Sequence, residues 1–181
     1  MLDTTRHLAP TLAHAALAHA DLLLYLLPSA LLAALLHALS RRHAFFLAWL
    51  LPGTFMHEMA HLLAAAVTNA RPVSFSILPR RQGNAWILGT VGCANIRWYN
   101  GLFVGLAPML VLALPVGVAV WRTRHGVAWE WDDAWIAALL APQLVSWLPS
   151  SADWRLALHS WPISLAAAIL LGMFFWMGGH A

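Results

Sequence analysis

The chain has 181 residues, 61 % of them hydrophobic and only 9 % charged, with a mean hydropathy of +0.70. That composition excludes an ordinary soluble domain and points to one integral membrane domain over residues 1–181. All ten basic residues are Arg, and a net charge of +3 spread over several loops excludes a nucleic-acid partner, while the single Cys93 excludes an internal disulfide and a Cys-rich zinc site.

Residues 1–20 are helix-prone and only partly apolar. His7, His14 and Asp21 fall seven apart and share a helix face. An interfacial helix with a polar stripe is preferred there to a second metal site. Asp3 and Arg6 leave no positive leader region, so the N-terminus does not read as a signal peptide. A first span is expected over 21–39, with a kink at Pro28, and Ser40-Arg41-Arg42-His43 closes it.

The second span, 44–67, contains His57-Glu58-Met59-Ala60-His61. Pro52-Gly53 loosens the helix one turn before the motif, and Ala60, Ala64, Ala65 and Ala66 permit close packing. Between 68 and 100 the pattern changes. Val73, Phe75 and Ile77 alternate with Ser74 and Ser76, residues 79–84 are turn chemistry, and 85–91 reads as a second strand broken at Gly89. A β-hairpin is therefore expected after the motif helix, followed by the interfacial anchors Trp98 and Tyr99.

A third span is expected over 101–121, where Gly105, Pro108, Pro115 and Gly117 indicate packing against protein rather than lipid alone. The fourth, 134–148, reaches only about 22 Å as a helix. A fifth covers 162–177. The expected fold is an all-α polytopic membrane protein with about five transmembrane helices and one β-hairpin. Residues 1–43 form the N-terminal helix and first span, 44–155 the core, and 156–181 the last span.

In H-E-x-x-H, positions i and i+4 lie on one helix face, so His57 and His61 can reach the same metal ion. Glu58 lies one step round, close enough to handle a water at that ion. A carboxylate and two imidazoles are costly in hydrocarbon unless they are used. Catalytic zinc commonly takes three protein ligands. Candidates for the third are Asp21, Asp132, Asp133, Asp153 and His159. The second and fourth spans run in the same direction, which puts the end of the fourth, with Asp153, at the depth of the motif. Asp132 and Asp133 fall at the opposite face, and Asp21 at the surface. Asp153 is preferred; its other reading is an N-cap carboxylate, and the two roles are compatible. Arg6, Arg71, Arg80, Arg81, Arg97 and Arg155 lie on the motif side, against Arg41, Arg42, Arg122 and Arg124 on the other, which favours a cytoplasmic site.

These residues resemble the site-2 protease family of intramembrane zinc metalloproteases. The resemblance covers about 44–155 and rests on H-E-x-x-H in a transmembrane helix, a following hairpin, Gly105-Leu106-Ala107-Pro108 in the third span, and Leu148-Pro149 followed by Asp153. It departs from the family where Asp153 sits in Ser-Ala-Asp-Trp with no following Gly, and where no Asn follows Gly105–Pro108. The form is compact, with no stretch for a PDZ or CBS domain.

The resemblance implies Zn²⁺ held by His57, His61 and Asp153, with Glu58 as general base, acting on a peptide bond in or near a transmembrane segment of a membrane-protein substrate. Gln143 and Asn95 are the amides considered for stabilising an oxyanion. An unwound substrate could be held at a strand edge, 73–78 or 85–91, by β-augmentation. The expected setting is the lipid bilayer of a bacterial inner membrane, with a homo-oligomer allowed. The alternative is a non-catalytic metal-binding membrane protein, a pseudo-protease or partner-binding scaffold. A haem protein and a transporter are less favoured. Most of the ten histidines sit in loops or at termini, and no inverted repeat is present.

Overall fold

The computed structural model describes residues 4–83 and 85–178, with side chains from residue 20 onward except at 82, 85, 164 and 167. The side chains of His7 and His14, and Asn84 of the expected turn, lie outside the described residues.

The chain is mostly helical. Helix α1 covers Thr4–Ser40 and α2 covers Phe45–Val67. Four short strands follow: β1 Pro72–Ser76, β2 Arg80–Gln82, β3 Ala85–Ile87 and β4 Thr90–Cys93. The third apolar segment is not one helix. It runs as α3 Gly101–Leu106, a 3₁₀ stretch Ala107–Leu112, and α4 Ala113–Arg122. Helices α5 Trp131–Ser146, α6 Ser151–His159 and α7 Trp161–Gly178 complete the chain.

Two described helices, Ala20–Ser40 and Gly101–Arg122, are long and apolar enough to cross a membrane. Their 21 and 22 residues reach about 32–33 Å, against a hydrocarbon core of about 30 Å. Helix α2, with 23 residues, has the length, but His57, Glu58 and His61 lower its apolarity. Helix α5 has only 16 residues, and α6 and α7 meet at a bend of 75°. Helix α1 shows which solvent its surface suits. Leu23, Leu27, Leu31 and Leu35 are exposed at 49–68 %, whereas Tyr25, Ser29 and Ala33 are buried. Large apolar residues outward and small or polar ones inward is the arrangement favoured in lipid, where helices gain little from burying leucine.

Composition alone suggests one domain; the structure gathers the chain into two compact units. One comprises Met1–Leu50 and Leu112–Val145, the other Leu51–Val111 and Ser146–Ala181. The boundaries fall near breaks in helical hydrogen bonding: beside Pro52-Gly53 in α2, within the 3₁₀ stretch, and after Pro142 in α5.

In the first unit, α1 packs on α4. Asp133 in the first turn of α5 is 1 % exposed and fully engaged. Its Oδ1 accepts from Tyr25 Oη (2.7 Å) and Arg122 Nε (3.0 Å), and its Oδ2 from Arg122 Nη2 (2.9 Å) and Glu130 N–H (2.8 Å). The Tyr25 ring stacks on Trp129, centroids 5.4 Å apart. This two-pronged guanidinium–carboxylate contact ties α1, α4 and α5 together.

In the second unit, α2 ends in a Schellman turn. Asn69 takes φ 58° and Ala70 N–H donates to Ala65 C=O at 2.8 Å. Ala65 and Ala70 then pack with Val104 in a small core that Ala64, Cys93, Ile96 and Leu156 surround. The hairpin expected after α2 is present, as two antiparallel tiers: β1 pairs with β4 and β2 with β3. The second strand is interrupted between Ile87 and Thr90, where Gly89 stands.

The Arg122 guanidinium, with Tyr25 and the Glu130 amide, holds the Asp133 carboxyl down at about 2 from its ordinary 3.8. A depressed carboxyl stabilises the folded form fully above about pH 4 and loses that contribution as pH falls through about 2. Asp133→Ala, which leaves Arg122 only its exposed contact with Glu130, should lower stability by about 1–2 kcal/mol at neutral pH. The difference from wild type in detergent-solubilised thermal unfolding should shrink towards pH 2.

Candidate metal centre

Helix periodicity puts His57 and His61 on one face of α2, with ring centroids 4.9 Å apart. The backbone around them fixes how each ring points. His57 Nδ1 lies 2.6 Å from the C=O of Ser146, the last residue of α5, and His61 Nδ1 lies 2.7 Å from the C=O of Val104 in α3. A carbonyl only accepts, so both Nδ1 atoms carry a proton, and each ring in its neutral form offers its lone pair at Nε2.

The two carbonyls are free for local reasons. In an α-helix Val104 C=O would take the N–H of residue 108, but Pro108 has none. Ala107 N–H bonds to it instead, as the chain tightens to 3₁₀, and its second lone pair goes to His61. Ser146 C=O is an end carbonyl of α5, one of those a helix leaves without an internal partner.

Asp153 comes from the first turn of α6, where it completes a capping box. Ser150 Oγ accepts from Asp153 N–H, and Asp153 Oδ2 accepts from Ser150 N–H at 2.6 Å. The same carboxylate faces the imidazoles: Oδ1 lies 3.2 Å from His61 Nε2 and Oδ2 lies 3.5 Å from His57 Nε2. Ser150, not Asp153, is the N-cap; Asp153 stands three residues on, at the other end of the capping box, and the same side chain could serve as a metal ligand.

The seat of α6 is set by glycine. α3 packs on α6. A Cβ at Gly105 would stand 2.5 Å from Asp153 C=O and 2.7 Å from Ala157 N, and one at Gly101 would stand 2.6 Å from Leu156 C=O. Both glycines let the two backbones touch, as small residues four apart do in membrane helices. Leu102 N–H donates to Ser160 Oγ at 2.8 Å beside them.

One nitrogen from each histidine and one oxygen of Asp153 could hold a metal ion, lying within 4.8 Å of one another. His57 Nε2 and His61 Nε2 are 3.2 Å apart, and the two carboxylate oxygens each lie 3.2–3.5 Å from one of them. Tetrahedral ligands at roughly 2.0–2.1 Å from zinc stand about 3.3 Å from one another. Two lone-pair nitrogens at this distance repel each other and cannot hydrogen-bond unless a cation or a further proton joins them. Among the described residues this is the group whose ligand atoms converge. Asp21 and Asp133 belong to the first unit, and Asp132 and His159 are exposed; none of the four joins it.

Glu58, on the next position of α2, is 7 % exposed. Gly89 of the hairpin lies directly against its side chain. Phe55, three residues before Glu58, meets Phe75 of β1 edge-on at 6.3 Å. The hairpin therefore docks on the face of α2 that carries Glu58.

The two amides considered for an oxyanion are placed differently. Asn95 spends both ends on its loop, donating to Asn69 C=O at 2.8 Å and accepting from Arg97 Nε at 2.9 Å. Gln143 is buried in the first unit, and its Oε1 has no hydrogen-bond partner among the described residues. That atom is an acceptor, the wrong polarity for an oxyanion, so the amide could serve only through Nε2. Asn100, not singled out from sequence, is 0 % exposed and organises the same loop. Its Oδ1 accepts from Arg97 N–H at 2.7 Å and its Nδ2 donates to Asn95 C=O at 3.0 Å. No known family, curated protein or solved structure matches the chain, so the site is read from its own geometry.

Gly105→Val should displace α6 and weaken metal affinity by about 10²-fold, the scale of losing a ligand's support. Gly117→Val, where a Cβ meets nothing within 4 Å, should bind as wild type. Competition against a chromogenic chelator measures both.

Proposed function

We propose that the chain is an intramembrane zinc metalloprotease that hydrolyses a peptide bond in or near a transmembrane segment of another membrane protein. The observation that carries this reading is the convergence of His57 Nε2, His61 Nε2 and an Asp153 carboxylate within 3.5 Å, with Glu58 on the adjoining position, in a chain with helices apolar enough to cross a bilayer. It also accords with the resemblance to site-2 proteases, with an arrangement of about five spans, and with a site towards the cytoplasmic side.

His57, His61 and Asp153 would hold Zn²⁺, which when bound polarises the scissile carbonyl and acidifies water towards a pKa of about 7. Three protein ligands leave a fourth position open, as catalytic sites require. Glu58 takes the proton of the attacking water and returns it to the leaving amine. Ser146 and Val104 carbonyls keep both imidazoles in the tautomer that can ligate. β1 and β4 pair with each other, and each leaves its outer edge unpaired among the described residues, so an extended substrate can add as a strand. An apolar cavity of about 470 Å³, lined in part by Met59 and Ala60 of the motif together with Phe103 and Leu110, has room for substrate side chains.

Glu58→Gln should retain one metal per chain, measured by elemental analysis, and lose about 10³-fold in cleavage of a transmembrane peptide in detergent or liposomes. Full activity in that variant would sink the mechanism. Stoichiometric metal with no cleavage by the wild-type protein on any membrane substrate would favour the non-catalytic metal-binding alternative.

A further inference from the structure

We infer that Gly89, at the break in the hairpin, is a positioning residue that seats the carboxylate of Glu58. The inference rests on the proposed role of Glu58 as proton carrier, and it assigns a further part of the chain to that task.

Glycine can be needed for conformation or for space. Among the described residues, left-handed backbone is confined to Gly83 and Gly126 among the glycines, and to Asn69 and Arg71. Gly89 is therefore in a conformation open to any residue, and space is the reason for it. A Cβ there would fall 2.5 Å from Glu58 Cγ, 2.7 Å from Oε1 and 2.9 Å from Cδ. All three are inside the distance that real carbon contacts reach, and all three atoms belong to one side chain. The hairpin backbone thus forms a wall against the whole outer half of Glu58.

That wall is itself fixed. Ser76 pairs with Thr90, the residue after Gly89, and Phe75 pairs with Val91. Phe75 in turn packs on Phe55, one turn from Glu58 on α2. The ladder is interrupted at Leu88 and Gly89, so the main chain is free of strand pairing where it meets Glu58. A buried carboxylate on a three-bond side chain has several rotamers. The wall removes some of them, and a general base must be held within tenths of an ångström of its working place.

The test is Gly89→Ala in two backgrounds. In the otherwise wild-type protein the added methyl should turn Glu58 aside, lowering kcat by about 10²-fold with KM and zinc stoichiometry unchanged, and lowering the unfolding midpoint by about 5 °C. In the Glu58→Ala background the opposing atoms are gone. The same substitution should then raise the midpoint slightly, because alanine restricts the unfolded chain. A shift of the same sign and size in both backgrounds, or an unchanged kcat in an active enzyme, overturns the inference. If Gly89→Ala alone does not fold, folding of the double variant supports the contact and its failure to fold overturns it. The midpoints need no catalysis, so opposite signs in a protein that cleaves nothing would leave the seating of Glu58 intact and remove the protease reading instead.

Discussion

Two imidazole nitrogens and the two oxygens of a carboxylate gather with contacts of 3.2 to 3.5 Å. Each side chain is also tied to backbone: His57 and His61 through Nδ1 to carbonyls, Asp153 through the N–H of Ser150. Much of the second unit can be understood as the means of keeping these three side chains in place. The 3₁₀ stretch after α3 leaves one carbonyl available, the end of α5 supplies another, and Gly101 and Gly105 let α6 approach until its first turn meets the motif. A metal ion held there would be the largest local charge in the site.

The first unit handles charge in an apolar setting differently. Asp133 and Arg122 neutralise one another directly, with Tyr25 and a backbone N–H filling the remaining acceptor positions of the carboxylate. Nothing there is left open. The contrast is between a carboxylate saturated by its own chain and a cluster of two imidazoles and a carboxylate that could hold a metal.

The motif was legible because helical periodicity is local: five consecutive residues carry both histidines and the glutamate. The parity of apolar spans points to Asp153; the structure brings it to the motif through the first turn of α6, while neither α2 nor α5 is among the described helices long and apolar enough to cross a membrane. The hairpin could be read from alternation, and its break at residues 88 and 89 separates the two tiers. What escaped was backbone. Carbonyl acceptors have no residue signature, so Ser146 and Val104 were invisible, although Pro108 signals by its missing N–H that residue 104 lacks a helical partner. Gly101 and Gly105, four apart, were a second signal of close helix contact. The Asn95 amide donates to Asn69 C=O and accepts from Arg97 Nε within its own loop. Gly89 was read as a strand break, since the side chain it accommodates lies 31 positions earlier, beyond any local pattern.

The capping box at Ser150 and Asp153 has a consequence in time as well as in space. Orienting a free carboxylate for an incoming ion costs rotational entropy, normally charged to the binding step. Here the first turn of α6 fixes that rotamer when the helix nucleates, through a bond of 2.6 Å from Ser150 N–H. A metal ion bound there would meet a carboxylate already aimed, and its capture would cost less ordering than capture by a free side chain.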